Sequence, residues 1–518
     1  MIKMSSYSAA PVQSNMFGTF DHNLGLVTHT SSEETRAVLD DRGEFLRLGS
    51  VEQRRILLEL SSQVHEQRHY LDSFGTIAGI TAFQAWNDCL ESFMEVSLNV
   101  RITTGWQLPL QDWLAKGCSP DVRRLAYEID LFRESERYFF GRLPRAFLRR
   151  DTKDVWFNAD IVKPKNGVRV TMPGYVMSFG KKNGRTGAVS ENPDLKVYIP
   201  VGYEVVAEGT AQALTRDIVH TLHPEYASDF MVFKDERRLV PGDRQAARKF
   251  LESVPNYDVT DLMLTKYLRQ QGTHSFARNT LLQLSDIAMA GVRFPADGLG
   301  RLDPENPLRF IGDVFIRHMT GTGVKDLVGG KWPYPRQYHE TYSDLLSNLR
   351  CNRTPAPEHV SRRDNPRDAP AIWRSFIEQH VTIPLLENRF ATFHRTYTDT
   401  KYFLAEFQKK NWPLVESHKG HLNFHLIPEH VRKAWSRQMM LGSLVSQYFS
   451  NAEILHCPRR KGGPIPGIEH HEMCATGCEQ SRKKGCGSWD PQDGPENLPD
   501  CLFRECLMTY GFIPIKKL

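Results

Sequence analysis

Two imidazoles and a carboxylate stand together in His65-Glu66-Gln67-Arg68-His69, the HExxH spacing that lets two histidines capture one metal ion. On a helix a step of four residues returns nearly to the same face, so His65 and His69 can grip a single ion. Glu66 lies about 100° round the helix, where it can reach a water held by that ion without being a ligand itself. A hydrolytic zinc site uses three protein ligands and keeps a fourth position open, so a third donor has to come from elsewhere in the chain. One extended pattern is excluded, because the places three and six residues after the second histidine hold Asp72 and Gly75 rather than glycine and histidine.

The motif needs a helix to carry it, and the apolar spacing of Ile56, Leu57, Leu60, Val64 and Leu71 predicts one over 51–73, with Gly75 as its stop. A second helix is expected over 77–100, its stripe of Ile80, Phe83, Trp86, Leu90, Phe93 and Met94 packing beside the first. Further helices are expected at 120–150, 203–222, 242–254, 257–271, 276–291, 336–350, 371–410 and 428–449. Between 155 and 200 the pattern changes to short β-type runs separated by Asn166-Gly167, Pro173-Gly174 and Asn183-Gly184 turn signals. Residues 1–45 read as a polar arm or a short edge-strand region, and the Pro-, Arg- and Asp-rich segment 352–370 as an exposed loop.

The third donor expected is Glu208. It stands in Glu208-Gly209-Thr210-Ala211 near the start of the helix at 203–222, which could face the first helix across a shared core; Glu204, one turn earlier, is its rival. Here the chain resembles the gluzincin branch of the HExxH metallopeptidases, in which a glutamate on a second helix completes the site and many members carry a similar Glu-Gly-x-Ala. The resemblance covers these two short motifs and implies Zn²⁺, hydrolysis of peptide bonds in a peptide or protein substrate, and Glu66 as general base. In thermolysin-like members an aspartate four residues beyond the glutamate ligand steadies a histidine; this chain has Gln212 there. Asp72, three residues after His69, is the carboxylate that could take over that support. Candidates for an oxyanion donor are Tyr203, Arg216, His220, His223, Tyr338 and His339. The β runs before Glu208 could supply an edge strand along which an extended peptide aligns.

A chain of 518 residues with 40% hydrophobic content can bury a sizeable core. Its 66 basic and 61 acidic side chains leave a formal +5, too mild for nucleic acid to be expected as a partner, and the basic run Arg142, Arg145, Arg149, Arg150 reads as a solvated face. No stretch approaches the ~20 apolar residues of a membrane helix and the first residues lack a secretory apolar core, so a cytoplasmic location is the expectation. Of nine cysteines, Cys457, Cys474, Cys478, Cys486, Cys501 and Cys506 crowd the C-terminal end. With His470 and His471 nearby, the last five of these are candidates for a tail metal site or for disulfides, their spacing matching no standard zinc signature. The glycines around 321–330 lack phosphate-loop spacing, and no GxSxG is present.

The fold class expected is α+β, predominantly α-helical: an arm at 1–45, a zincin-like catalytic domain at 46–330, a helical region at 331–455 and a Cys/His-rich tail at 456–518. Two other readings stand beside the peptidase. Glu66-x-x-His69 could be half of a di-iron helix-bundle oxidoreductase site, which needs a second copy, or the chain could be a non-catalytic metal-binding or structural protein with a zincin-like fold.

Overall fold

The computed structural model describes residues 18–29, 42–103, 106–107, 109–141, 156–162, 169–182, 189–222, 259–270, 279–294, 311–321, 336–351, 366–392, 394–407, 412–418, 421–450, 452, 455–457, 488–489 and 502–510. Its long helices are α1 (Ser50–Gly75), α2 (Ile77–Thr103), α3 (Pro120–Phe140), α4 (Tyr203–Leu222), α5 (Val259–Gln270), α6 (Asn279–Ala290), α7 (Ile311–Thr320), α8 (Arg336–Cys351), α9 (Ala369–Ile377), α10 (Ile383–Ala391), α11 (Glu429–Phe449) and α12 (Leu502–Thr509). A four-stranded sheet has the order β1-β2-β6-β7, from Gly18–Asp21, Leu26–His29, Leu414–His418 and His421–His425. Its outer pairs are antiparallel and its central β2–β6 pair is parallel. A separate antiparallel meander is built from β3 (Trp156–Val162), β4 (Arg169–Lys182) and β5 (Val189–Pro200). Leu455–His456 and Ser488–Trp489 form one further short pair. The chain is thus the predominantly helical α+β protein expected.

Helix ends follow local chemistry. At α3, Ser119 accepts the Val122 N–H through its hydroxyl and Pro120 fills the first turn, where a missing N–H costs nothing. The same helix stops at Gly141, whose left-handed backbone (φ 82°) returns its N–H to the Arg137 and Tyr138 carbonyls. It therefore ends before the basic run at 142–150, which lies outside the described residues, as do the helix expected at 242–254 and His223.

One expected helix needs correcting. The helix expected over 371–410 is broken: α9 passes through a π-helical stretch, Glu378–Thr382, into α10, then come two isolated turns and a second π-helical stretch, Phe403–Phe407. Pro384, without an N–H, stands where α10 begins. Of the two readings offered for residues 1–45, the strand one describes 18–29: β1 is an edge strand, and β2 lies inside the sheet, paired with β6. The divisions drawn near 45 and 330 also fall across shared packing. Leu26, Val64 and Leu71 bury their side chains in one core with Trp373, Val381, Val415 and Trp435, each such side chain being worth about 1.5–3 kcal/mol of apolar burial.

A second core gathers Ile77 and Ala78 of α2 with Tyr203, Val206, Met263, Leu284, Phe315 and Leu386, and holds Tyr175 and Ile199 of the meander. A third joins α2, α3 and α11 to α12. Cys506 is buried in that third core, whereas Cys474, Cys478, Cys486 and Cys501 lie outside the described residues.

Candidate metal centre

Helix α1 presents His65, His69 and Ser73 in one row, at successive four-residue steps. Helix α4 packs along it and brings Glu208 opposite the two histidines. The closeness at Glu208 rests on Gly209: a Cβ there would lie 1.8 Å from Thr260 Oγ1 of α5, so only glycine lets α4 seat between its neighbours.

The three ligand atoms converge. His65 Nε2 and His69 Nε2 are 3.1 Å apart, and Glu208 Oε2 stands 3.0 Å from the first and 3.4 Å from the second. A tetrahedral ion with ligands at about 2.0–2.1 Å sets its donors about 3.3 Å from each other, so these three atoms already occupy three corners around one point. Two imidazole nitrogens that face each other this closely need a proton or a cation between them. Two imidazoles and one carboxylate also make up a donor set of catalytic zinc hydrolases, which leaves a fourth position free. The residues present therefore fit a zinc ion. Among the described residues this is the one group of three or more His, Cys, Asp or Glu side chains close enough to share a metal. Glu208, not Glu204, is its acid, and among the described residues no second cluster of the kind a di-iron site requires accompanies it.

Electrostatics follow from this crowding. Burial opposes charge on the Glu208 carboxyl, but the His69 charge and the hydrogen bonds from both imidazoles outweigh it, holding the group well below the usual carboxylate range. Burial likewise disfavours the His69 cation, yet the Glu208 charge and hydrogen bond raise its pKa on balance. Glu66, 5% exposed, is pushed up to about 8 by burial, His65 pulling it down and Glu208 adding to the rise. A carboxyl with proton affinity near neutrality is suited to taking and returning a proton.

Beneath the ligands, the fully buried Asp72 pairs with Arg68 at 2.8 Å. Burial raises the Asp72 pKa, with Arg68 opposing, while the Asp72 charge reaches His69. Gln212 lies one turn past Glu208 on α4.

The sheet packed beside α1 is the one led by β1. Phe20 of β1 stacks on His69, ring centroids 6.3 Å apart and planes 25° from parallel. His22 Nδ1 lies 2.7 Å from Ser73 Oγ, one turn beyond His69. Sequence spacing carries no signal for either contact. The Arg68-x-x-x-Asp72 step did offer one, an i,i+4 ion pair across the motif. Of the expected oxyanion donors, Arg216 pairs with Asp261 at 3.2 Å, Tyr338 Oη meets His318 Nε2 at 3.4 Å and His339 stacks on Phe390, whereas buried Tyr203 stacks on Phe139 and sets its hydroxyl beside Ser73, one turn beyond His69. His220 is exposed near the end of α4.

The four positions match the HExxH…E spacing of gluzincin sites. Compared with protein-family models, curated proteins and solved structures, the chain finds no match. No helix among the described residues is long and apolar enough to cross a membrane.

Proposed function

We propose that the protein is a zinc-dependent peptidase that hydrolyses peptide bonds, with His65, His69 and Glu208 as ligands and Glu66 as general base. The observation that carries this reading is the convergence of two Nε2 atoms and one carboxylate oxygen within 3.0–3.4 Å of one another, with an unliganded carboxyl next in sequence to His65. Zinc held there would acidify a water and polarise the scissile carbonyl. Glu66 would take the water's proton and deliver it to the leaving amine. Phe20, packed near His69 with its ring 25° from parallel, helps to shield that imidazole from water on one side. Asp72 and Arg68 maintain a fixed charge pair below His69 and so steady its electrostatic surroundings. The substrate is a peptide or protein and the location cytoplasmic.

The test is a pair of variants assayed for zinc by elemental analysis and for cleavage of an unstructured fluorogenic protein. Glu66→Gln is expected to keep zinc and lose hydrolysis, while Glu208→Ala loses both. Full activity in both would sink the proposal. Zinc bound by a wild-type protein that cleaves nothing would favour a metal-binding scaffold instead.

A further inference from the structure

Helix α1 has no basic residue in its last turn, so nothing on the helix itself answers the unpaired carbonyls and partial negative charge at its C-terminal end. The cation comes from elsewhere. Arg389 of α10, 0% exposed, donates to the Gly75 carbonyl through Nη2 at 2.9 Å and Nε at 3.2 Å. Its remaining donors meet Asp286 of α6 in a two-pronged pair, both at 2.9 Å, and His394 Nδ1 at 3.0 Å. A guanidinium has five N–H groups on three nitrogens, and all three nitrogens take part in these contacts. Its plane also lies over the Tyr397 ring, 3.4 Å from the centroid, and the Tyr397 carbonyl accepts from Arg68 at 2.6 Å. Arg68 is the immediate neighbour of His69 and the partner of Asp72. Gly75 is required for this arrangement: a Cβ there would fall 2.1 Å from Tyr397 Oη.

We propose that Arg389 is a positioning residue for the metal centre: through Gly75 and Asp286 it fixes the helix bearing His65 and His69 against the one bearing Glu208. The reason is the place of α6. That helix carries Asp286, and its Leu282 is buried in one core with Val64 and Leu71 of α1 and Leu214 and Ile218 of α4. It also packs directly on α4. Both ligand-bearing helices are thus referenced to α6, one by packing and the other by packing plus the Arg389 fork. His69 is six residues, about 9 Å of helix, from Gly75, and a rigid helix transmits a displacement of its end along that length. Three donors placed to a few tenths of an ångström would feel it. His394 reinforces the clamp. It is held in the left-handed region (φ 66°), an expensive backbone for a non-glycine residue, and that conformation places its imidazole as an acceptor for Arg389.

This inference rests on the metal reading of the site, and the experiment separates the two. Full-length protein is freed of metal and loaded with Co²⁺, whose ligand-field absorption reports donor geometry, and Zn²⁺ affinity is measured by competition with a chromophoric chelator. Arg389→Lys keeps the charge and loses the fork; His394→Asn tolerates the left-handed backbone and alters one contact. Arg350→Ala, at an exposed pair with Glu387, is the control. Expected are a changed Co²⁺ spectrum and about tenfold weaker Zn²⁺ binding for Arg389→Lys, the size seen when groups supporting a metal ligand are lost, with a smaller change in the same direction for His394→Asn. If both variants show lowered urea midpoints but the parent spectrum and affinity, Arg389 only stabilises the fold and the proposal is overturned. If the parent binds neither metal, the reading of the site falls and the positioning role with it.

Discussion

Two polar clusters lie within a few turns of each other on α1, and they are built on opposite rules. At the metal centre, three atoms able to donate a lone pair converge: two imidazole nitrogens and a carboxylate oxygen point at one spot. At the helix end, atoms of unlike kind close on each other: Arg389 with Asp286, and Arg68 with Asp72, all four side chains 0% exposed. The first arrangement is completed only by something added. The second is complete as it stands, and taking a partner away leaves a buried charge without compensation.

Removing one carboxylate from each cluster should therefore give opposite results. Asp286→Ala leaves Arg389 buried and unpaired, and a loss of about 3–5 kcal/mol is expected, read as a large fall in the urea midpoint with a Tm to match. Glu208→Ala removes a carboxylate that is about a quarter exposed; the metal-free protein should lose no more than about 1–2 kcal/mol, while zinc binding is abolished. Equal loss of stability in the two variants would erase the distinction.

The next effect tests the closeness on which the centre depends. Gly209→Ala puts a methyl group 1.8 Å from Thr260 Oγ1, and the strain is expected to cost about 1–3 kcal/mol. Because Glu208 is the adjacent residue, zinc affinity should fall with stability. Thr260→Ala in the same chain removes the clashing hydroxyl and should recover part of both. A double variant no better than Gly209→Ala would show that α4 is held off by something other than Thr260.

How much of each cluster could be read beforehand follows from the same contrast. His65, Glu66 and His69 were legible because a helix puts them at fixed offsets, and Glu208 because a second short motif pointed to it. The helices from α1 to α4 were legible in their apolar periodicity, with ends within a few residues of those found except at α3, which stops at Phe140 and not near 150. The clamp was not, since Arg389 and Asp286 are 103 residues apart and no local pattern distinguishes a buried arginine from an exposed one. β1 and β2 escaped for a related reason. Four-residue strands carry too little alternation to register, and β2 gains its place only by pairing with β6 nearly four hundred residues later. The π-helical stretches at 378–382 and 403–407 keep helical residue types while changing the hydrogen-bond step, so periodicity ran straight through them.

A milder probe of the clamp is acid. His394 is 4% exposed; burial, then the Arg389 cation and then His339 push its pKa down to about 2. In the unfolded chain it takes a proton near pH 6.5, so below that pH the unfolded state binds more protons than the folded one. Stability contributed by neutral His394 is thus fully present above about pH 6.5 and is lost as pH falls toward 2. By pH 5 this amounts to on the order of 2 kcal/mol. His394→Asn cannot take up that proton. Urea midpoints measured from pH 7 to pH 5 should fall less steeply in the variant than in the parent, and parallel curves would show that the imidazole is free to protonate in the folded protein.

The smallest effect belongs to charges that meet in neither manner. Arg350 of α8 and Glu387 of α10 face each other at the surface, each about half exposed, with water available to both whether or not they touch. Side-chain entropy and screening offset most of the attraction in such a pair, so Arg350→Ala should change stability by no more than about 0.5 kcal/mol, and less still in high salt. Glu387 is two residues from Arg389 on the same helix, and that makes the comparison demanding. An effect of several kcal/mol at Arg350 would mean that α10 as a whole, rather than its buried guanidinium, holds the end of α1.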